Sequence, residues 1–314
     1  MTPAPPLRIL ATVPLYPPGS RVGAWLATHE YLRFMAARGH QVDVITYQGT
    51  DWPYELDGVT VHPSKTRIRD MVTTADVVVS HLGDMGQGHN EAKAAGKPSV
   101  RFVHGPVPNP SDRLRGADLV VFNSRASQVP TDAPSIICRP HTDPTAHQAI
   151  PGDRVTCVNL SERKGGDVFW SVAAAMPDTL FLGVLGGYGE QIQGDLPNVE
   201  VVMPTRDMRT VWARTRLLLV PSIAESWGMV GIEAMTNGIP VVAHPSAGLC
   251  ESLGSAAIWA RRAHTGEWVE QIRRLAHPGA YRTASLVAKG RADAVCSADD
   301  RPRFAGAVEA LVAQ

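Results

Sequence analysis

Short apolar runs alternate with amphipathic stretches along almost the whole chain, and that alternation leaves few folds open. LRILATVP (7–14), QVDVITY (41–47), ADVVVSH (75–81), PSVRFVH (98–104) and ADLVVFNS (117–124) are each apolar over strand length and end in a loop holding Gly, Pro, Asn or His. A Gly/Pro-rich loop follows the first run, and then a helix-like stretch from about Ala24 to Arg38, which Gly39 stops as a C′ residue does. The polar, Pro-rich and aperiodic stretch 138–154 reads as a linker. Beyond it the pattern resumes with RVTCVNL (154–160), TLFLGVLGG (179–187), NVEVVM (198–203), RLLLVPS (216–222) and IPVVAH (239–244), with helices between and two or three more after Trp259. Strands alternating with helices build a parallel sheet clothed by helices, whose ligands bind at the carboxyl ends of the strands.

At 314 residues the chain exceeds the roughly 250–300 at which single cores stop growing. The expectation is an α/β protein of two Rossmann-like, doubly wound domains, 1–145 and 146–314, facing each other across a cleft, with the last helix a candidate to return to the first domain. Thirty basic and thirty acidic residues cancel, which argues against a polyanion-binding stripe. Cys138, Cys157, Cys250 and Cys296 are widely spaced, with no CxxC pair, so neither a disulfide scaffold nor a zinc site is indicated. No apolar run approaches the roughly 20 residues of a membrane span, and the N-terminus lacks a signal-peptide pattern. A cytoplasmic protein is expected, with peripheral membrane contact left open.

Residues 224–243, AESWGMVGIEAMTNGIPVVA, place Glu225 and Glu233 in an otherwise almost uncharged strand–turn–helix–strand run. The helix is predicted to start near Gly228–Met229 and to stop at Asn237-Gly238, so Glu225 lies in the strand-end loop and Glu233 about one turn into the helix. That spacing suits one ligand stretched along the helix N-terminus better than a glycosidase pair flanking one bond. The unpaired N–H groups and dipole of a helix N-terminus favour a phosphate, and Gly228 leaves backbone open to approach. A carboxylate one turn on would then accept hydrogen bonds from sugar hydroxyls.

PSIAESWGMVGIEAMTNGIPVVAHPSAGLCES resembles the signature of family-4 glycosyltransferases: the E-x7-E spacing, the Gly three residues after the first Glu, and the E-A-M and G-I-P-V-V-A segments all match. The resemblance continues in order through VNLSERKGGDVFWSVAAAMPD (158–178), similar to the family's phosphate-binding segment, FVHGP (102–106), its His-bearing loop, and VVFNS (120–124). It implies the GT-B fold and a retaining, metal-independent, hexosyl-transferring enzyme using a nucleotide-diphosphate sugar, with no cofactor. By the same resemblance Glu233 binds the donor ribose, Glu225 the transferred sugar, and Ser226, Trp227, Gly228, Met229 and Val230 sugar or phosphate. Lys164 pairs with the diphosphate, Gly19 and Gly23 lie in the loop approaching the phosphates, and His104 stands near the reacting sugar. Backbone around Met203 faces the base, with UDP, GDP, ADP and TDP all left open. His104, Lys164 and Glu225 are the implied catalytic residues. Consistently, no Asp-x-Asp occurs in the chain.

The family usually carries an Arg five or six residues before the motif Lys; this chain has Asn159 and Val158 there. Arg163 or Arg21 could supply the charge, though a guanidinium at a new site is not equivalent. The departure keeps open a non-catalytic nucleotide-sugar-binding module; a sugar-nucleotide 2-epimerase on the same scaffold is a further alternative. LGGYG (185–189) reads as a tight turn and HLGDMGQGH (81–89), with His81, Asp84 and His89, as an acceptor-contacting loop. RIRD (67–70) is too weakly basic to argue membrane docking. The acceptor stays open among small molecules, lipid carriers, glycans and modified nucleic acid.

Overall fold

The computed structural model describes residues 5–19, 22–48, 51–81, 87–105, 110–187 and 189–313. The chain divides into two compact units, 1–141 with 299–314, and 142–298. The division falls four residues before the boundary expected from sequence, and the chain's last stretch belongs to the first unit.

The first unit opens with β1 (Arg8–Val13), α1 (Gly23–Ala37), β2 (Gln41–Thr46), β3 (Tyr54–Leu56) and β4 (Val59–His62). It continues with α2 (Ile68–Thr74), β5 (Val77–His81), α3 (Gln87–Ala94), β6 (Ser99–Val103), α4 (Pro110–Leu114), β7 (Leu119–Phe122) and β8 (Ser135–Ile137). The sheet order is β3-β4-β2-β1-β5-β6-β7-β8. All pairings are parallel except β3–β4. β6 and β7 are buried at every residue, because helices cover a parallel sheet on both faces. The β3–β4 hairpin turns at Asp57-Gly58, with φ of 50° and 78°, the positive-φ pair that a two-residue hairpin loop requires.

In the second unit come β9 (Arg154–Val158), α5 (Gly166–Ala174), β10 (Phe181–Val184), β11 (Val199–Val202), α6 (Arg209–Trp212) and β12 (Thr215–Val220). Then follow α7 (Met229–Thr236), β13 (Val241–Ala243), α8 (Ala247–Leu253), β14 (Ile258–Trp259), α9 (Thr265–Ala276) and α10 (Pro278–Ser297). The sheet is wholly parallel in the order β11-β10-β9-β12-β13-β14. One core packs Trp212, Ile232 and Met235 under α7 and α10, and the other packs Phe169, Phe181 and Trp268 under α5 and α9. Among the described residues no helix is long and apolar enough to cross a membrane.

Helix α11 (Arg301–Val312) packs on α1 of the first unit. Phe304 meets Tyr31 at a ring distance of 5.1 Å, and Glu309 accepts from Arg38 at 2.8 Å and lies 3.0 Å from His40 Nε2. The stretch read as a linker is not loose either. Pro144–His147 forms a 3-10 turn capped by Asp143, and Asn237 at the end of α7 binds the His147 carbonyl at 2.9 Å and the Ala149 N–H at 2.7 Å. Its lack of periodicity reflects tertiary hydrogen bonding rather than freedom.

Candidate functional site

In the second sheet the chain runs outward from β9 through β10 to β11, then returns to add β12, β13 and β14 on the other side of β9. Loops leaving the neighbouring strands β9 and β12 therefore part company at their carboxyl ends, which is where an open α/β sheet forms its ligand crevice. The loop after β9 carries Asn159 to Gly165, and the loop after β12 carries Pro221 to Gly228.

These two loops are tied together. Lys164 Nζ donates to Glu225 Oε1 at 2.5 Å, and Ser222 Oγ donates to the same oxygen at 2.8 Å. The pair is half-buried, with side-chain exposures of 25% and 12%, so it is less screened than a surface pair. Ile223 N–H donates to the Arg163 carbonyl at 2.9 Å. Gly165 has φ +93°, and a Cβ there would stand 2.4 Å from the Pro221 ring, so only glycine lets the loops approach this closely. Arg262, in the turn after β14, spans both: it donates to Pro221 O at 2.8 Å, to Glu162 O at 3.0 Å and to Asp167 at 2.5 Å. Sequence reasoning missed Arg262, because it lies outside every motif and its role exists only once β14 is placed.

Gly228, with φ +80°, opens α7. The first-turn N–H groups of Met229 and Val230 find no acceptor among the described residues, as expected where no side chain caps the helix. Trp227 is buried at 2% exposure. Glu233 lies one turn along α7. Burial pushes its carboxyl pKa up, opposed by His147, whose Nδ1 is 3.9 Å from Glu233 Oε2. His147 is the second residue the sequence reading did not reach, since it falls in the supposed linker.

Asn159, one of the two positions where the resemblance leads to an expected Arg, adopts φ +68°. Its Oδ1 accepts from Ser161 N at 3.1 Å and from Gln191 Nε2 at 3.1 Å, while Gln191 Oε1 accepts the N–H groups of Leu160 and Gly186, each at 2.8 Å. A neutral amide lock thus replaces a charge. The Arg163 side chain is exposed, Met203 follows β11 at 73% exposure, and Arg21 lies outside the described residues.

The other expected site residues belong to the first unit. Its sheet reverses between β1 and β5. Gly19 sits in the loop after β1, where among the described residues a Cβ would meet Tyr16 O at 3.5 Å, and Gly23 starts α1. Tyr16 anchors that loop through His29 at 2.9 Å, and His29 binds Asp57 at 2.9 Å. His104 follows β6 and stacks between His81, at 5.1 Å, and Phe102, at 4.8 Å. Burial drops its pKa to about 3, and burial with His104 and Arg101 nearby also lowers His81, so both imidazoles are neutral at ordinary pH. The acceptor-loop reading of 81–89 needs correction. His89 is a buried residue of α3, bonded to Ser99 Oγ at 2.7 Å and Arg115 O at 3.0 Å, because the helix turns it into the sheet; Asp84 lies outside the described residues. Among the described residues no three metal-ligating side chains gather.

Residues 155–277 match the family model described as "Glycosyl transferases group 1". No curated protein matches the chain by sequence. Among solved structures the chain is similar to a sucrose-phosphate synthase from Thermosynechococcus elongatus, with a TM-score of 0.79 at 15% identity over 98% of this chain and 99% of that one. Anabaena HepE in complex with UDP-glucose gives a TM-score of 0.78 at 17% identity over 98% of each chain. A glycosyltransferase from Rickettsia africae gives 0.76 at 13% identity over 98% of this chain and 99% of that one. The protein has the GT-B fold, two Rossmann-like α/β domains, and the match to the family model lies within its second unit.

Proposed function

We propose that the protein is a retaining, metal-independent glycosyltransferase that takes a hexosyl group from a nucleotide-diphosphate sugar bound to the second unit and delivers it to an acceptor hydroxyl. The observation that carries this reading is the Lys164–Glu225 pair at the sheet's switch point, beside the uncapped N-terminus of α7 and one turn from Glu233. In this reading the α7 N–H groups and Lys164 hold the diphosphate, Glu225 accepts from the transferred sugar, and Glu233 accepts from the ribose. Lys164 would leave Glu225 for the phosphates, which frees Glu225 for the sugar and offsets the charge of the leaving diphosphate. That HepE binds UDP-glucose on a similar fold supports a nucleotide-sugar donor. Retention and metal independence rest on the E-x7-E resemblance alone.

The Asn159 lock gives a second reading some force: a module that binds nucleotide sugars without turning them over. Thermal-shift assays with UDP, GDP, ADP and TDP, with and without attached sugars, test donor binding. A ligand at about 100 times its dissociation constant stabilises a fold by roughly 2.7 kcal/mol. One responder, lost in Glu233→Ala, is expected, and donor turnover with an acceptor panel then separates the enzyme from the module. Silence across all nucleotides sinks both.

A further inference from the structure

We propose that His147 is a positioning residue for Glu233, brought beside the carboxylate by the segment that enters the second unit so that Glu233 meets its ligand as an oriented anion. The inference rests on the reading of Glu233 as the group that accepts the paired hydroxyls of a nucleoside.

The placement of His147 is fixed from two sides. Asp143 caps its 3-10 turn, accepting from Thr145 N at 2.9 Å. Asn237, the C-cap of α7, holds the backbone on both sides of the imidazole through the His147 carbonyl and the Ala149 N–H. The segment is therefore pinned to the same eight-residue helix that carries Glu233. The imidazole Nδ1 is buried with no hydrogen-bond partner among the described residues, 3.9 Å from Glu233 Oε2. Among the described residues His147 is the one side chain able to carry positive charge within ion-pairing distance of that carboxylate. At 3.9 Å the contact is within ion-pairing range.

The chemistry explains why such a neighbour is needed. A vicinal diol donates two hydrogen bonds, which a carboxylate can accept on its two oxygens; a protonated carboxyl presents a donor on one of them and mismatches the diol. Burial favours that protonated form. A cation or an N–H at Nδ1 favours the anion and fixes one oxygen, leaving the other edge for the ligand. The remaining charged groups around the pair are engaged elsewhere. Asp207, which also faces His147, is bound by Arg209 through two bonds of 2.7 Å. On α10, packed along α7, Lys289 pairs with Asp293, and Arg291 donates to the carbonyls of Ser252 and Glu251.

The test is calorimetric titration of UDP, GDP and ADP into the full-length protein between pH 5.5 and 8.5, continued with whichever nucleotide binds. Glu233→Gln is expected to weaken binding across the range and to abolish the preference for that nucleotide over its 2′-deoxy analogue. His147→Gln is expected to bind like wild type at the alkaline end, with the acid-side loss starting about one pH unit higher, roughly tenfold weaker on that limb. His147→Lys, which keeps a cation, should retain the wild-type limb. In the Glu233→Gln background His147→Gln should add no further loss, the coupling expected of a residue that acts through another. Superimposable pH profiles for wild type and His147→Gln, or equal losses in both backgrounds, overturn the proposal while leaving the reading of Glu233 intact. No binding by any of the three nucleotides, or a Glu233→Gln variant that binds as wild type does, overturns that reading and the proposal with it.

Discussion

Where the second sheet reverses, the loops leaving β9 and β12 meet through Lys164, Glu225 and the carbonyls that Arg262 binds. In the first unit the corresponding strand ends are furnished with rings: Trp25 packs on His81 at 4.4 Å, His81 on His104, and His104 on Phe102. Both sheets are doubly wound and both reverse at the corresponding topological point, yet one is dressed with charge and uncapped N–H groups and the other with neutral, buried rings. Topology chooses where a ligand sits, and loop chemistry chooses what kind. On the proposed reading the charged strand ends of the second sheet hold the diphosphate. The ring stack, held uncharged by burial, suits neutral groups and keeps its imidazoles out of any charge-pairing role at neutral pH.

The most severe break should come from Lys164→Ala, which removes the cation paired with Glu225 at the switch point. Turnover should fall by about a hundredfold or more, the usual scale for a lost transition-state charge partner, with little change in melting temperature. Unaltered turnover would mean that the phosphate charge is met elsewhere, with exposed Arg163 the first group to examine. Arg262→Ala should act through the scaffold instead. Losing the strut across two loops is expected to destabilise the second unit by at least about 2 kcal/mol, a drop of several degrees in its melting point, since a single bond to a charged group is worth about 1.5–3 kcal/mol. A variant that melts with the wild type would show the Lys164–Glu225 and Ile223–Arg163 bonds to hold the loops without it.

Gly228→Ala should lower stability by about 1–3 kcal/mol, because its φ of +80° is strained for alanine and the new Cβ would lie 2.4 Å from Leu249 Cδ2. Denaturant unfolding measures this, and a neutral result would show that the turn can re-form in another conformation. The subtlest effect belongs to the ring stack. With the folded-state pKa of His104 near 3 and its ordinary value 6.5, the unfolded chain binds more protons between those limits. Stability of the first unit should therefore fall as pH drops through that window. His104→Phe should flatten the dependence, as read from melting temperature against pH; an unchanged slope would place the linkage on His81 instead.

Much of the candidate site was legible because its signals are local. The apolar runs, the Gly228 opening, the Asn237-Gly238 stop and the E-x7-E spacing fix the bounds of β12 and α7 within a residue or two. The β3–β4 hairpin was not read from the sequence, because its three-residue first strand is too short to show a period; Asp57-Gly58 was the one local signal for it. His147 and Arg262 were not legible. His147 lies in the aperiodic segment that joins the two units, where only the bonds from Asn237 show its placement, and Arg262 makes its bonds only after β14 joins the sheet.

What the sequence determined by itself is what neighbours along the chain decide: strand and helix periodicity, positive-φ turns, helix ends, and the glutamates' places relative to one helix N-terminus. Only the tertiary structure decided which charges meet. Lys164 and Glu225 are 61 residues apart, Arg262 and Asp167 95, and Asn237 and His147 90. No short-range preference links residues at such separations. The order of strands in the sheet does, because burying continuous apolar strands side by side fixes which loop ends emerge together.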